Sequence, residues 1–404
     1  MEAEEIKISS NVETEVSIVD SEDEFFRMWE EWSVILQNSS SDTIFLTLDW
    51  LSRWWKVYGE GKELFILLIK REGALVGIAP FYKKNISKFR FFTYRSIILL
   101  GDGSGDSDYL DFISLKGQEE LVARSVINFL IEKNGEWDLL IMNEIPDASP
   151  HISILRKIFY QKRWYRDEEK IPCTYIKLPE NWEDYIKSLK PRMRTKIRSL
   201  TKRLEKEYQV YFDRCELIDD IKPRLKSLFE LHKKRWQQVG QEGVFLSKQK
   251  RELYYEISKL FLLNGWLRFY SLSFENHYIA HQFCFEYQNK IFLLQEGLDP
   301  NWFKNGAGNV LRGYIIKDCI ERKVQVYDFL GGVSDHKLSW SPNIKNSIRI
   351  SAGHPSLKNI LIFKIPIVIG MGKKVIERYL PESALNWIKA VKKEITNFLA
   401  KRIH

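Results

Sequence analysis

The stretch that decides the fold is 290–330. It opens with Ile291-Phe292-Leu293-Leu294-Gln295-Glu296 and turns through Gly297-Leu298-Asp299-Pro300-Asn301-Trp302. Phe303-Lys304-Asn305-Gly306-Ala307-Gly308-Asn309 then leads into Val310–Arg322, and Val324-Gln325-Val326-Tyr327-Asp328-Phe329-Leu330 closes the unit. The short apolar run before the Asp-Pro turn signal predicts a strand, and the helical spacing after the glycines predicts an amphipathic helix. Glycines at a helix start let backbone N–H groups face an anion with no Cβ in the way. The helix dipole favours negative charge at the same place. The amides of residues 305–309 therefore form a candidate pyrophosphate cradle. A plain tight turn ahead of a helix uses the same glycines, and both readings stand at this point.

Outward from this unit, the pattern predicts strands at 173–178, 208–214, 266–274, 278–287 and 290–298. Helices are expected from 181, over 192–207, near 220–238 and over 247–263. The first half predicts helices at 21–37 and 48–58, and a hairpin of 64–70 and 74–82 around Arg71-Glu72-Gly73. Strands at 89–100 and 107–114, a helix at 117–133, a strand at 137–144 and a helix at 150–160 follow. Strands alternating with helices argue for layered α/β or α+β structure and against a bundle. Residues 64–82 and 267–285 share one hairpin pattern, which is weak evidence of an internal duplication.

The chain has 404 residues and a net charge of +8, with 44% hydrophobic and 14% aromatic residues. That length calls for two or three domains, and the composition excludes disorder. No apolar run is long enough to span a membrane, and the polar start Met1-Glu2-Ala3-Glu4-Glu5 is no secretory signal. Four scattered cysteines, Cys173, Cys215, Cys284 and Cys319, read as thiols in a reducing cytoplasm. The charge is uneven: −9 over residues 1–31, +8 over 185–206 and +7 over 356–404. A DNA-reading domain would be basic throughout, so no DNA partner is expected.

In the basic helix, Arg192, Arg194 and Arg198 are candidates to clamp an anionic acceptor, a phosphorylated or nucleotide-linked sugar, because guanidinium forks match phosphate oxygens. Met193, Ile197, Leu200 and Leu204 form an apolar stripe behind them, so a solvated helix face explains the same pattern. The run Gly101–Asp108 suggests a calcium loop but has Ser107 where glycine is needed and Ile113 where glutamate is needed. His277 and His281 sit four apart on a predicted strand, too far for an easy shared metal, and no metal is expected. In 356–404, Leu385, Ile388, Val391, Ile395, Phe398 and Leu399 share one helical face beside lysines. That tail can pack on its own domain or make a peripheral contact at the inner membrane surface.

Four stretches together resemble the GNAT acyltransferase superfamily, in its tandem-domain FemAB-like and CelD-like (cellulose-biosynthesis-associated acetyltransferase) branch. They are Gly73–Phe81, Asp106–Phe112, Arg192–Glu205, and Gly297 through Gly306 to Asp328-Phe329-Leu330-Gly331-Gly332 with His336-Lys337 before Trp340. The resemblance covers about 15–350 and implies an α+β fold of two tandem GNAT-like domains, mixed sheets flanked by helices. The implied domains are 1–165, then 166–355 with the donor site, followed by the basic tail 356–404. It implies acyl transfer, with acetyl-CoA as donor held by Lys304, Asn305, Gly306, Ala307, Gly308 and Asn309. The acceptor would be an amino or hydroxyl group of a saccharide or envelope intermediate, met by Arg192, Arg194, Arg198 and Lys337. Glu296 and Asp299 are candidate general bases; Tyr327, Asp328 and His336 are candidates to protonate the leaving thiolate. The family signature carries Gln or Arg three residues before the first glycine, where this chain has Phe303, with Lys304 beside it. FemAB-like relatives use aminoacyl-tRNA on the same fold, so a tRNA donor and a non-catalytic scaffold of envelope polysaccharide assembly remain alternatives.

Overall fold

The computed structural model describes residues 13–88 and 92–363. The first half runs β1 (Thr14–Val19), α1 (Glu22–Arg27), α2 (Trp29–Gln37), α3 (Leu48–Tyr58), β2 (Glu63–Arg71), β3 (Ala74–Lys88), β4 (Phe92–Leu99), β5 (Ile113–Ser114), α4 (Glu119–Glu132), β6 (Leu139–Pro146) and α5 (Pro150–Gln161). The second runs β7 (Tyr165–Lys177), α6 (Trp182–Ser188), α7 (Pro191–Arg203), β8 (Tyr211–Arg214), α8 (Ile218–Gln237), α9 (Lys248–Leu263), β9 (Leu267–Phe274), β10 (His277–Tyr287), β11 (Lys290–Leu298), α10 (Ala307–Glu321), β12 (Val326–Gly331), α11 (Asp335–Trp340), β13 (Ile344–Gly353) and α12 (Leu357–Phe363).

Two-residue hairpins set the register. Glu72-Gly73, Glu275-Asn276 and Gln288-Asn289 all take positive φ, the twist that joins right-twisted antiparallel strands without splaying them. The strands form one sheet in the order β1-β2-β3-β4-β6-β13-β7-β12-β11-β10-β9-β8, with β5 beside β3. Each half contains one parallel step, β4 to β6 and β11 to β12. The strands that follow these steps are exchanged. β7, next after β6 in the chain, pairs with β12, and β13, next after β12, pairs with β6, while β7 and β13 pair from Tyr165–Gly353 to Thr174–Ile344.

One apolar core crosses from half to half. Phe45 packs edge-on to Phe292 at 5.8 Å and Trp50 to Phe285 at 5.8 Å, contacts worth about 0.5–1.5 kcal/mol each beyond burial.

The parallel step of the second half places the site. β11 and β12 pair only from Lys290–Val326 to Phe292–Asp328, after which β11 continues to Leu298 on β10 alone, past a bulge between Phe283 and Cys284. The strands therefore part beyond Phe292, and the gap opens toward the turn that starts α10.

The strand expected at 107–114 shrinks to Ile113–Ser114. Tyr109 takes φ 51, and Asp111 accepts hydrogen bonds from Ser41 and Ser149, so this apolar run is a buried loop held by side chains. The basic helix ends at Arg203 and widens into a π turn over 204–208 before β8. Within 356–363, α12 packs on the sheet and Asn359 Nδ2 donates to Asp138 O at 3.0 Å; the amphipathic tail beyond lies outside the described residues. No helix among the described residues is long and apolar enough to cross a membrane.

Candidate functional site

The turn after β11 is built without side-chain help at its last step. Asp299 Oδ1 caps the short turn by accepting from Asn301 N at 2.9 Å. Gly306 takes φ 73 as N-cap of α10, and no side chain caps the helix. The amides of Asn309 and Val310 return to Gly306 O, and that of Gly306 to Phe303 O. The first-turn amides of Ala307 and Gly308 have no carbonyl within the helix to meet, which leaves them for an anion. Leu200 of α7 packs so close that a Cβ on Gly306 would stand 2.4 Å from its Cδ1. A cavity of about 270 Å³ lies here, lined among others by Gly306, Gly308, Asn309, Glu296 and His336. Asn309 Oδ1 is buried with no protein partner, an acceptor suited to an amide N–H such as pantetheine carries.

Behind this cavity lies a polar network. Tyr327 Oη donates to Gln282 Oε1 at 2.7 Å, which fixes the amide so that Gln282 Nε2 donates to Glu296 Oε1 at 2.7 Å. Arg312, buried on α10, donates through Nη2 to Glu296 and contacts the His336 ring through Nη1. Burial alone would raise the Glu296 carboxyl, but the Arg312 and Arg235 guanidiniums outweigh it and hold the group below the usual carboxylate range. Burial, then Arg312, lower His336 to about 4.

A second cleft of about 600 Å³ opens between the halves, lined by Asp108, Glu144, Trp236, Lys337 and Arg349 among others. Glu296 and Arg235 line both cavities. Asp108 Oδ1 accepts from Gly331 N at 3.2 Å. Burial first, then the Glu144 and Asp328 carboxylates, push Asp108 up to about 8. Glu144 is paired to Arg349 at 2.6 Å, and Lys337 Nζ donates to the carbonyls of Phe329, Gly331 and Gly332 at 2.9–3.0 Å.

Residues 191–338 match the family model described as an acetyltransferase (GNAT) domain. The fold is GNAT-like. The solved structure of FemX aligns over 86% of this chain and 99% of its own, at 11% identity and a TM-score of 0.56. A conserved protein of unknown function from Bacteroides thetaiotaomicron VPI-5482 aligns over 84% and 100%, at 12% identity and a TM-score of 0.54. At such identity the likeness is one of fold. No curated protein matches.

On this GNAT-like frame the residues singled out from sequence separate into groups. Glu296, Gly306, Gly308, Asn309 and His336 line the smaller cavity and Lys337 the larger. Ala307 is buried at the helix start beside them, Asn305 precedes it in the turn, and the Lys304 carbonyl accepts from Arg203 at 3.2 Å. Asp299 is occupied in its turn, with Lys234 at 3.8 Å. Tyr327 is fully buried behind Gln282. Asp328 is fully buried too, held by Tyr109 Oη at 3.0 Å and Lys345 Nζ at 2.5 Å, as a brace between the halves. Arg192, Arg194 and Arg198 are absent from both linings; Arg198 pairs with exposed Glu183 at 2.8 Å. His277 is exposed, and His281 is buried between Ser271 and Ser227. Among the described residues no group of three or more His, Cys, Asp or Glu could hold a metal.

Sequence reading missed Arg312, Gln282, Arg235 and Asp108. Arg312 carried a signal: it shares a helical face with Ile315, Ile316 and Cys319, all buried, where an unpaired charge is costly. The sequence places Asp108 in a loop, at the start of the strand expected at 107–114 and within the Asp106–Phe112 resemblance, but gives no sign of its raised carboxyl, because the Glu144 and Asp328 carboxylates beside it come from distant strands.

Proposed function

We propose that the protein is an acyltransferase that moves an acetyl group from acetyl-CoA to an amino or hydroxyl group of a saccharide or envelope intermediate. The carrying observation is that Glu296 belongs to the wall of both cavities, so a thioester seated at Gly306–Asn309 and an acceptor in the cleft would meet there. The donor's diphosphate would take the first-turn amides of α10 and its amide chain the Asn309 side chain. The acceptor nitrogen or oxygen attacks the thioester carbonyl, the new C–N or C–O bond forms, and the C–S bond breaks. The proton leaves the acceptor for Asp108, a base matched to neutral pH, and ends on the departing sulfur. Glu296, already ion-paired and ionised, orients rather than abstracts.

A second reading keeps the same cleft but takes the acyl group from aminoacyl-tRNA. Phe303 in place of a signature Gln or Arg favours it, as does the exposed basic face of α7, whose Leu200 touches Gly306. Thiol release from acetyl-CoA, followed with amino sugars as acceptors, tests the first reading. Retention of tRNA that collapses with added salt and no thiol release would replace it with the second. Binding of neither leaves a scaffold.

A further inference from the structure

Arg312 and His336 make a contact that constrains the histidine's protonation. Nη1 lies 3.1 Å from His336 Nδ1 and 3.2 Å from Nε2. A guanidinium cation this close to both ring nitrogens repels a second positive charge, so the contact favours a neutral ring. A neutral ring keeps one N–H to donate. His336 also lines the donor cavity together with Glu296, Gly297 and Leu298, at the splayed end of β11. We propose that His336 acts in the donor cavity as a neutral hydrogen-bond donor to the acyl carbonyl oxygen, held in that form by Arg312 as a positioning residue. The proposal deepens the acyl-transfer reading and rests on it. It also reverses the role expected from sequence, in which His336 protonates the leaving thiolate.

The charges around the ring act in one direction, with one exception. Arg312 from α10, Arg235 from α8 and Lys196 from α7 disfavour an imidazolium, as does burial, the largest effect. Glu296 from β11 favours it but is itself neutralised by Arg312 and Gln282. The result is a histidine lowered to about 4, neutral across the working range. Negative charge develops on the carbonyl oxygen as the acceptor attacks, and a donor fixed there beforehand stabilises the transition state more than the ground state. A neutral imidazole does this without giving up its proton, so the carbonyl oxygen returns unprotonated when the C–S bond breaks.

Two readouts on the full chain test this, one independent of turnover. The His336 ring signal, assigned by its absence from His336→Gln, is followed by NMR through a pH titration. It should stay flat from about pH 5.5 to 8.5, and in Arg312→Met its midpoint should rise, while Arg312→Lys should keep it low. In acyl transfer, His336→Gln keeps a non-titrating N–H donor and should retain kcat within about 10-fold, while His336→Ala should lose about 100-fold. A wild-type ring that titrates between about 6 and 7, or a glutamine variant as impaired as the alanine variant, overturns the proposal. Calorimetry with acetyl-CoA separates the failures: no binding to the wild type removes the donor site itself, whereas intact binding with an impaired glutamine variant removes only the role of His336.

Discussion

Arg312 and Glu296 form an ion pair at the wall that two cavities share, and the arginine is almost wholly out of water. Its guanidinium also faces the rings of Phe329 at 5.2 Å and Trp340 at 5.5 Å. The pair is therefore part of the core and part of the site at once.

Breaking it should cost stability as well as rate. Arg312→Met leaves the Glu296 carboxylate with Gln282 as its remaining hydrogen-bond donor; removing one partner of a buried pair costs about 3–5 kcal/mol, and less here because Glu296 stays partly open to the cavities. Urea unfolding should register that loss, and adding Glu296→Leu should restore most of it. A double variant as unstable as the single one would show the two residues to be uncoupled.

Gly306→Val should abolish donor binding through backbone strain and contact together. The residue needs φ 73, and the new Cβ would meet Leu200 at 2.4 Å. Adding Leu200→Ala removes the contact but not the strain, so calorimetry should find binding only partly restored.

Asp108 carries the pH dependence. With its carboxyl raised to about 8, it is mostly protonated at pH 7, so acyl transfer should rise with pH and level off above about 8. Asp108→Asn should flatten that profile and lower kcat by about 100-fold or more. Stability runs the opposite way. The folded state holds this proton where the unfolded chain has lost it, so stability should fall as pH rises from about 4 to 8, and less so in Asp108→Asn.

Tyr109→Phe should loosen the junction of the halves without touching the donor cavity. It removes the hydroxyl that donates to buried Asp328 at 3.0 Å, leaving Lys345 and the Leu330 amide as partners. A hydrogen bond to a buried charge is worth about 1.5–3 kcal/mol. Thermal unfolding should shift down and remain one transition, because the apolar core is common to both halves.

The second half was largely legible because its signals are local. Alternation in β9 to β11, two-residue turns and the glycines before α10 need no distant partner to be read. The stretch 107–112 failed because its apolar residues are buried by a loop whose hydrogen bonds come from Ser41, Ser149 and His151. His151 there joins Asp111 at 3.0 Å and Ser114 at 2.8 Å, the contact order of a hydrolytic triad, but all three are buried and line neither cavity. The strand exchange was hidden for the same reason: nothing in β7 or β13 records which half it will pair with. Within the site, Glu296 was singled out as a candidate base, but its ion pair was not foreseen, since the arginine that ionises it lies sixteen residues on.

The measurement closest to the central claim is a calorimetric titration of the full chain with acetyl-CoA, alongside Gly306→Val. Saturable binding to the wild type, absent in the variant, is the expected result. No heat of binding to the wild type, or a variant that binds as the wild type does, would contradict a thioester site at the start of α10.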